Sequence, residues 1–136
     1  MDQLPPRPLP EATPCSQPHW EGLTRGEFLI QQCAQCGTLR HYPRPVCSAC
    51  HSMEVKWQKA SGEAKIHSWT IAHHAYHPAF KASLPYTLVT ADLAEGVRVL
   101  ARLENADGRA LQIGAPLRIG YERLTDAVTL PILTWE

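Results

Sequence analysis

The chain has 136 residues, 44% of them hydrophobic and 19% charged, a balance that excludes a disordered polymer and suits one medium domain or a small metal-stapled module joined to a compact β domain. Thirteen Lys and Arg offset 13 Asp and Glu, so no overall field draws in a polyanion regardless of sequence. No apolar run approaches the ~18 residues that a membrane helix needs, and the N-terminus lacks the basic-then-apolar pattern of a secretion signal, so no membrane partner and a cytoplasmic location are expected.

Residues 1–18 carry Pro5, Pro6, Pro8, Pro10, Pro14 and Pro18, which deny regular hydrogen bonding and predict an extended, flexible arm, mobile or bound to a partner. Cys15, the one cysteine outside the paired set, lies in this arm with no neighbouring base, which argues against a catalytic thiol. From His19 to Glu27, Trp20 and Leu23 are spaced i, i+3, with Phe28 following, and predict a short helix with one buried aromatic face. Gly22 and Gly26 work against that helix.

Residues 19–60 are expected to form a unit of helix plus ribbon. Cys33-Ala34-Gln35-Cys36 and Cys47-Ser48-Ala49-Cys50 are two C-x-x-C pairs. Two facing knuckles present four thiolates as a tetrahedron, the arrangement of a closed structural zinc site, and Gly37 assists the first turn. Iron uses the same four ligands, so spacing alone leaves the metal open between zinc and iron. A redox pair needs only one C-x-x-C within an α/β pattern that is missing here. His41 and His51 lie near the knuckles, but four cysteines already fill the shell. A filled shell has no open position for water or substrate, so no catalytic role is assigned to the metal and no catalytic residue is expected from it. A ribbon this small buries too little apolar area to fold unaided, and the metal would supply on the order of 10 kcal/mol.

After Ser61-Gly62 the pattern changes to strands, at 63–73, 86–93, 97–103, 117–123 and 127–134. In the third, Val97, Val99, Ala101 and Leu103 alternate with Arg98 and Arg102, as in a half-buried antiparallel strand. Glu95-Gly96 and Asn105-Ala106-Asp107-Gly108 suit hairpin turns. Residues 61–136 are therefore expected to form a five-stranded barrel of OB type, with an SH3-like barrel also compatible with the strand count. The fold class expected for the whole chain is mainly β: a short N-terminal helix, a rubredoxin-like zinc ribbon, then the OB-fold barrel.

The segment from His73 to Lys81 is long for a hairpin loop. His73, His74, His77, Tyr76 and Lys81 are candidates to line a ligand mouth at the barrel rim, against the plainer reading of a solvated loop with Tyr76 and Phe80 tucked onto the barrel. Arg98, Arg102 and Arg118 are candidates to grip phosphates from one outward face, against a plain solvated face. The sequence has no G-x-S-x-G, P-loop or dinucleotide fingerprint.

Pro18-His19-Trp20-Glu21-Gly22-Leu23, the run from Phe28 into Cys33-x-x-Cys36-Gly37, Pro43-Arg44-Pro45-Val46-Cys47-x-x-Cys50, Trp57 and Ser61-Gly62 resemble the N-terminal half of the zinc-ribbon plus OB-fold proteins associated with acyl-CoA metabolism. Pro85-Tyr86, then Asp92 to Arg98, and later Ile113-Gly114 resemble that family's OB segments, and the likeness runs from about residue 18 to the C-terminus. The resemblance implies an accessory subunit in a hetero-oligomer with a thiolase-like enzyme, a hydroxymethylglutaryl-CoA synthase, a MaoC-type hydratase, or a thiolase-like aldolase that cleaves steroid side chains. It also implies that the OB domain touches the CoA part of the substrate while the partner carries the chemistry. On this reading the helix and ribbon dock the partner, with Trp20, Leu23 and Phe28 as anchors or as intrachain core. The barrel rim holds a CoA thioester through His73, His74, Tyr76, Lys81, Arg98 and Arg102. The alternatives are a single-stranded nucleic-acid-binding OB protein, disfavoured by neutral charge and 7% aromatic content, and an independent enzyme using His73, His74 or His77 as general base.

Overall fold

A computed structural model describes Pro6–Glu136; residues 1–5, Pro5 among them, lie outside the described residues. The helix α1 spans Gln17–Thr24, beginning two residues before the expected start. Pro18 sits in its first turn, where a missing N–H costs nothing. The helix stops short of Glu27 because Gly26 takes φ +75° and closes a Schellman turn, with Gly26 N–H donating to Leu23 O (3.0 Å) and Glu27 N–H to Gly22 O (2.9 Å). Gly22 has a different reason: a Cβ there would stand 2.9 Å from the Leu29 side chain. Both glycines that weaken the helix in isolation are used by its packing.

Three strands follow: β1 (Leu29–Cys33), β2 (Leu39–Arg40) and β3 (Val55–Lys59), ordered β2-β1-β3 and antiparallel. Gln31, buried in β1, ties this sheet to the following loop, its Oε1 accepting from Arg40 Nε and from Arg44 N–H, both at 2.7 Å. The barrel comprises β4 (Glu63–Ala72), β5 (Tyr86–Leu93), β6 (Arg98–Arg102), β7 (Pro116–Arg123) and β8 (Thr129–Trp135), in the order β6-β5-β4-β7-β8. All five expected strands are present within one or two residues of their expected ends. The first three form the antiparallel meander, and the alternation expected for β6 holds, with Val97, Val99, Ala101 and Leu103 buried and Arg98 exposed.

One turn differs from expectation. Glu95-Gly96 closes the β5–β6 hairpin, whereas Asn105 to Gly108 does not close another, because β7 pairs with β4 and not with β6. The end strands β6 and β8 meet only through a parallel bridge, Leu103↔Leu133, and the sheet thereby curls into an OB barrel. Leu23, Phe28 and Ile30 from the helix and ribbon join Ile66, Val89, Leu117 and Leu133 from the barrel in one core.

The proline-rich arm departs from a free extended segment. Ser16 is buried, its Oγ accepting from Thr13 N–H, and Arg7 lies against the barrel, donating to Ser83 Oγ (3.1 Å), pairing with Glu122 (3.5 Å) and stacking on Phe80. A guanidinium with an acceptor, a carboxylate and a ring face within reach is held even though the prolines bar secondary structure.

Candidate metal centre and the cleft beside it

The two cysteine knuckles repeat one geometry. Cys33 N–H donates to Thr38 O and Gly37 N–H to Cys33 O; in the second knuckle Cys47 N–H donates to Ser52 O and His51 N–H to Cys47 O. Each turn requires a left-handed residue at its fifth position, filled by Gly37 (φ +83°) and by His51 (φ +67°). The side chains of Cys33, Cys36, Cys47 and Cys50 converge so that all four sulfurs lie within 4.8 Å of one another, with Cys33–Cys50 at 3.5 Å and Cys36–Cys47 at 3.6 Å. Sulfurs bound tetrahedrally to zinc at ~2.3 Å stand about 3.8 Å apart, so the thiolates need little movement to hold the ion.

The electrostatics also call for a cation. The backbone N–H of Cys36 holds the Cys33 thiol down to about 6, while at Cys50 the favourable N–H of Ser52 is outweighed by burial and by three adjoining sulfurs, which push its thiol up to about 12. Four thiolates this close repel unless a divalent ion neutralises them. His51 is exposed and His41 lies away from the cluster, so neither histidine completes the shell. The site is closed and structural.

Beside the ribbon the helix packs on aromatic side chains that sequence reasoning had not joined. His19 is buried, bonded through Nδ1 to Leu29 O (3.1 Å), and its ring contacts Phe28 and His41, each at 5.1 Å between centroids. Burial lowers the His19 pKa, and burial with the neighbouring His19 lowers that of His41 to about 4, so both rings are neutral. His41 Nδ1 is buried without a partner. Trp20 Nε1 donates to Tyr42 Oη at 2.8 Å. Together with Phe80, Leu100 and Ile132, Trp20 and Tyr42 bound an apolar cleft of about 420 Å³ between the helix and the barrel.

The expected site residues fall into three groups. Leu23 and Phe28, each 1% exposed, belong to the core, so they are intrachain packing residues with no surface to offer a partner. Trp20 is half-buried at the cleft. His73, His74, Tyr76 and Lys81 do share one loop, which ends in a 3-10 helix over Pro78–Ser83 capped by His77 Nδ1, the acceptor for Ala79 N–H. Tyr76 is 94% exposed, against the reading that tucked it onto the barrel, while Phe80 does turn inward to the cleft. Arg98, Arg102 and Arg118 are each paired, with Asp92 (2.7 Å), Glu122 (2.6 Å) and Glu136 (3.6 Å) respectively. Sequence reasoning also passed over Val46, Met53 and Val55, apolar residues exposed on the ribbon.

A closed four-thiolate ribbon fused to an OB barrel defines a zinc-ribbon OB-fold protein. Residues 20–55 match the family described as the ChsH2 rubredoxin-like zinc ribbon domain, and residues 57–122 match the ChsH2 C-terminal OB-fold domain. The chain belongs to this ChsH2 family of zinc-ribbon and OB-fold proteins. It is 32% identical over 93% of its length to a probable enoyl-CoA hydratase alpha subunit of Thermomonospora curvata. It is also 32% identical over 75% of its length to the 3-oxo-4,17-pregnadiene-20-carboxyl-CoA hydratase alpha subunit of Mycobacterium tuberculosis. The chain spans 39% and 32% of those two relatives. A solved Ltp2-ChsH2(DUF35) aldolase chain superposes with a TM-score of 0.82 at 31% identity, covering 92% of this chain and 97% of that one. Among the described residues no helix is long and apolar enough to cross a membrane.

Proposed function

We propose that this chain is the accessory subunit of a cytoplasmic acyl-CoA-processing complex, in which a thiolase-like partner carries out acyl transfer or retro-aldol cleavage. The observation that carries this reading is the likeness to the Ltp2-ChsH2(DUF35) aldolase chain, which extends over 97% of that chain. The closed metal site agrees with it: Cys33, Cys36, Cys47 and Cys50 would hold zinc as a brace, and zinc would supply folding energy and no chemistry. In this proposal the ribbon docks the partner through Val46, Met53 and Val55, and Trp20 of the helix is a separate candidate anchor at the edge of the cleft. The barrel rim meets the CoA moiety through His73, His74, Tyr76 and Lys81. Arg98 and Arg102 contribute less to phosphate binding, because Asp92 and Glu122 already hold them.

Two hydratase alpha subunits among the relatives favour a second reading, in which the partner is a hydratase of MaoC type. Co-expression of this chain with a thiolase-like and, separately, a hydratase-type protein from the same source distinguishes the two. The expected result is a stable complex and partner activity with the thiolase-like protein. Activity only with the hydratase selects the second reading, and a chain that associates with neither and alters neither activity rejects both. In the complex, Met53→Lys is expected to weaken association about tenfold or more, since a charge placed in an apolar interface loses its hydration.

A further inference from the structure

The cleft between helix and barrel has a topological origin. Strands β6 and β8 are the two ends of the sheet and pair only at Leu103↔Leu133. Over the rest of that seam α1 and the His41–Tyr42 turn form the opposite wall, with Arg7 and Phe80 beside them. The space of about 420 Å³ falls in the range of roughly 300–1,000 Å³ occupied by small-molecule sites, which are apolar with a few placed polar groups. Leu100, on β6, is 64% exposed within this lining, an aliphatic side chain left uncovered.

The polar groups of the lining gather around Glu122, which holds Arg102 at 2.6 Å and Arg7 at 3.5 Å, while Ser83 accepts from Arg7. Arg102 also reaches Glu104 at 4.0 Å, so the two guanidinium groups are balanced by two carboxylates and offer hydrogen-bond donors without a surplus charge. The imidazoles of His19 and His41 are neutral through burial and add none. An apolar chamber with two guanidinium donors gathered at one place suits an apolar ligand with one acceptor end, a carboxylate or a carbonyl. The same loop places Phe80 in the cleft wall and Tyr76 outside it, so the chamber adjoins the loop proposed to meet CoA.

We infer that this cleft binds the apolar body of an acyl group, with the carboxylate or thioester carbonyl directed at Arg7 and Arg102. The inference rests on the acyl-CoA reading above and adds to it where the acyl group is held. It predicts that the chain itself, and not only its partner, selects for apolar acyl groups.

The test uses the full zinc-loaded chain without a partner, so its outcome is independent of whether a complex forms, which the co-expression experiment decides separately. Dansyl-undecanoate serves as the fluorescent probe, and dodecanoate, dodecanoyl-CoA and free CoA are the competitors. Saturable binding at one site per chain is expected, displaced by dodecanoate and by dodecanoyl-CoA but not by free CoA. Leu100→Glu, at an exposed position where folding tolerates a charge, is expected to weaken probe binding about tenfold or more with zinc content and circular dichroism unchanged. Arg7→Ala is expected to weaken dodecanoate more than dodecanoyl-CoA, since only the acid carries a charge at the acyl end. Absence of saturable binding overturns the inference. So does displacement by free CoA, displacement by dodecanoyl-CoA with none by dodecanoate, or unchanged binding in a folded Leu100→Glu variant.

Discussion

His51 adopts φ +67° at the position of the second knuckle that Gly37 fills in the first, and an L side chain in that region costs roughly 1–2 kcal/mol. His51→Gly is therefore expected to keep its full zinc content, because His51 ligates nothing. Its thermal stability is expected to equal or exceed the parent by up to about 1 kcal/mol, the relief of strain being partly offset by the freer unfolded chain. Gly22 lies at the opposite extreme. A Cβ there meets Leu29 carbons at 2.9 Å and Glu27 O at 3.1 Å, so Gly22→Ala should lose about 1–2 kcal/mol in denaturant unfolding despite alanine's better helix propensity. His41 gives a pH signature. Its pKa of about 4 lies below the ordinary 6.5, so the unfolded chain takes up a proton before the folded one does. The stability it contributes is full above pH 6.5 and is lost as pH falls toward 4. With zinc in excess, the parent should lose about 1 kcal/mol more than His41→Phe between pH 7.5 and 5.5, since phenylalanine cannot titrate and leaves no buried Nδ1 without a partner.

At the scale of elements, the ribbon sheet is a small assembly whose shortest strand has two residues, and its knuckles are joined through sulfur. Phe28 and Leu29, which receive α1, sit directly before and at the start of β1, so the metal holds the helix as well as the ribbon. Cys36→Ser, or chelation, should therefore release the helix from the barrel, seen as increased proteolysis around Trp20 and lost near-ultraviolet ellipticity. Strand signal from the barrel should persist, because β4 to β8 pair among themselves. Loss of partner activity on chelation would follow from lost assembly, since the filled thiolate shell has no reactive position.

At the scale of the molecule, the neutral net charge is matched by local neutrality on the barrel face that carried candidate phosphate-binding arginines. The three outward arginines of the barrel each meet a carboxylate, and the face of β5 and β6 beside the cleft is overlaid by α1, His41–Tyr42 and Arg7. That face is one on which OB proteins commonly stack nucleic acid. Labelled single-stranded DNA is accordingly expected to show no salt-dependent shift with the full chain at micromolar concentration; a strong, salt-sensitive shift would restore the nucleic-acid reading.

By itself the sequence determined what depends on local periodicity and ligand chemistry. The C-x-x-C spacing defines the thiolate site because each pair closes its own turn, and the alternation through Val97, Val99, Ala101 and Leu103 defines β6 because side chains of a strand repeat every second residue. Only the tertiary structure decided what depends on residues far apart in the chain. Asn105 to Gly108 carries hairpin residues, yet β7 crosses to β4 because burying its apolar face there completes the barrel. Arg7 and Glu122 meet across most of the sequence, and the cleft draws its walls from the arm, helix, ribbon turn and barrel strands. No local pattern encodes such a space, because a cavity is made by surfaces that fail to meet, and that is a property of packing alone.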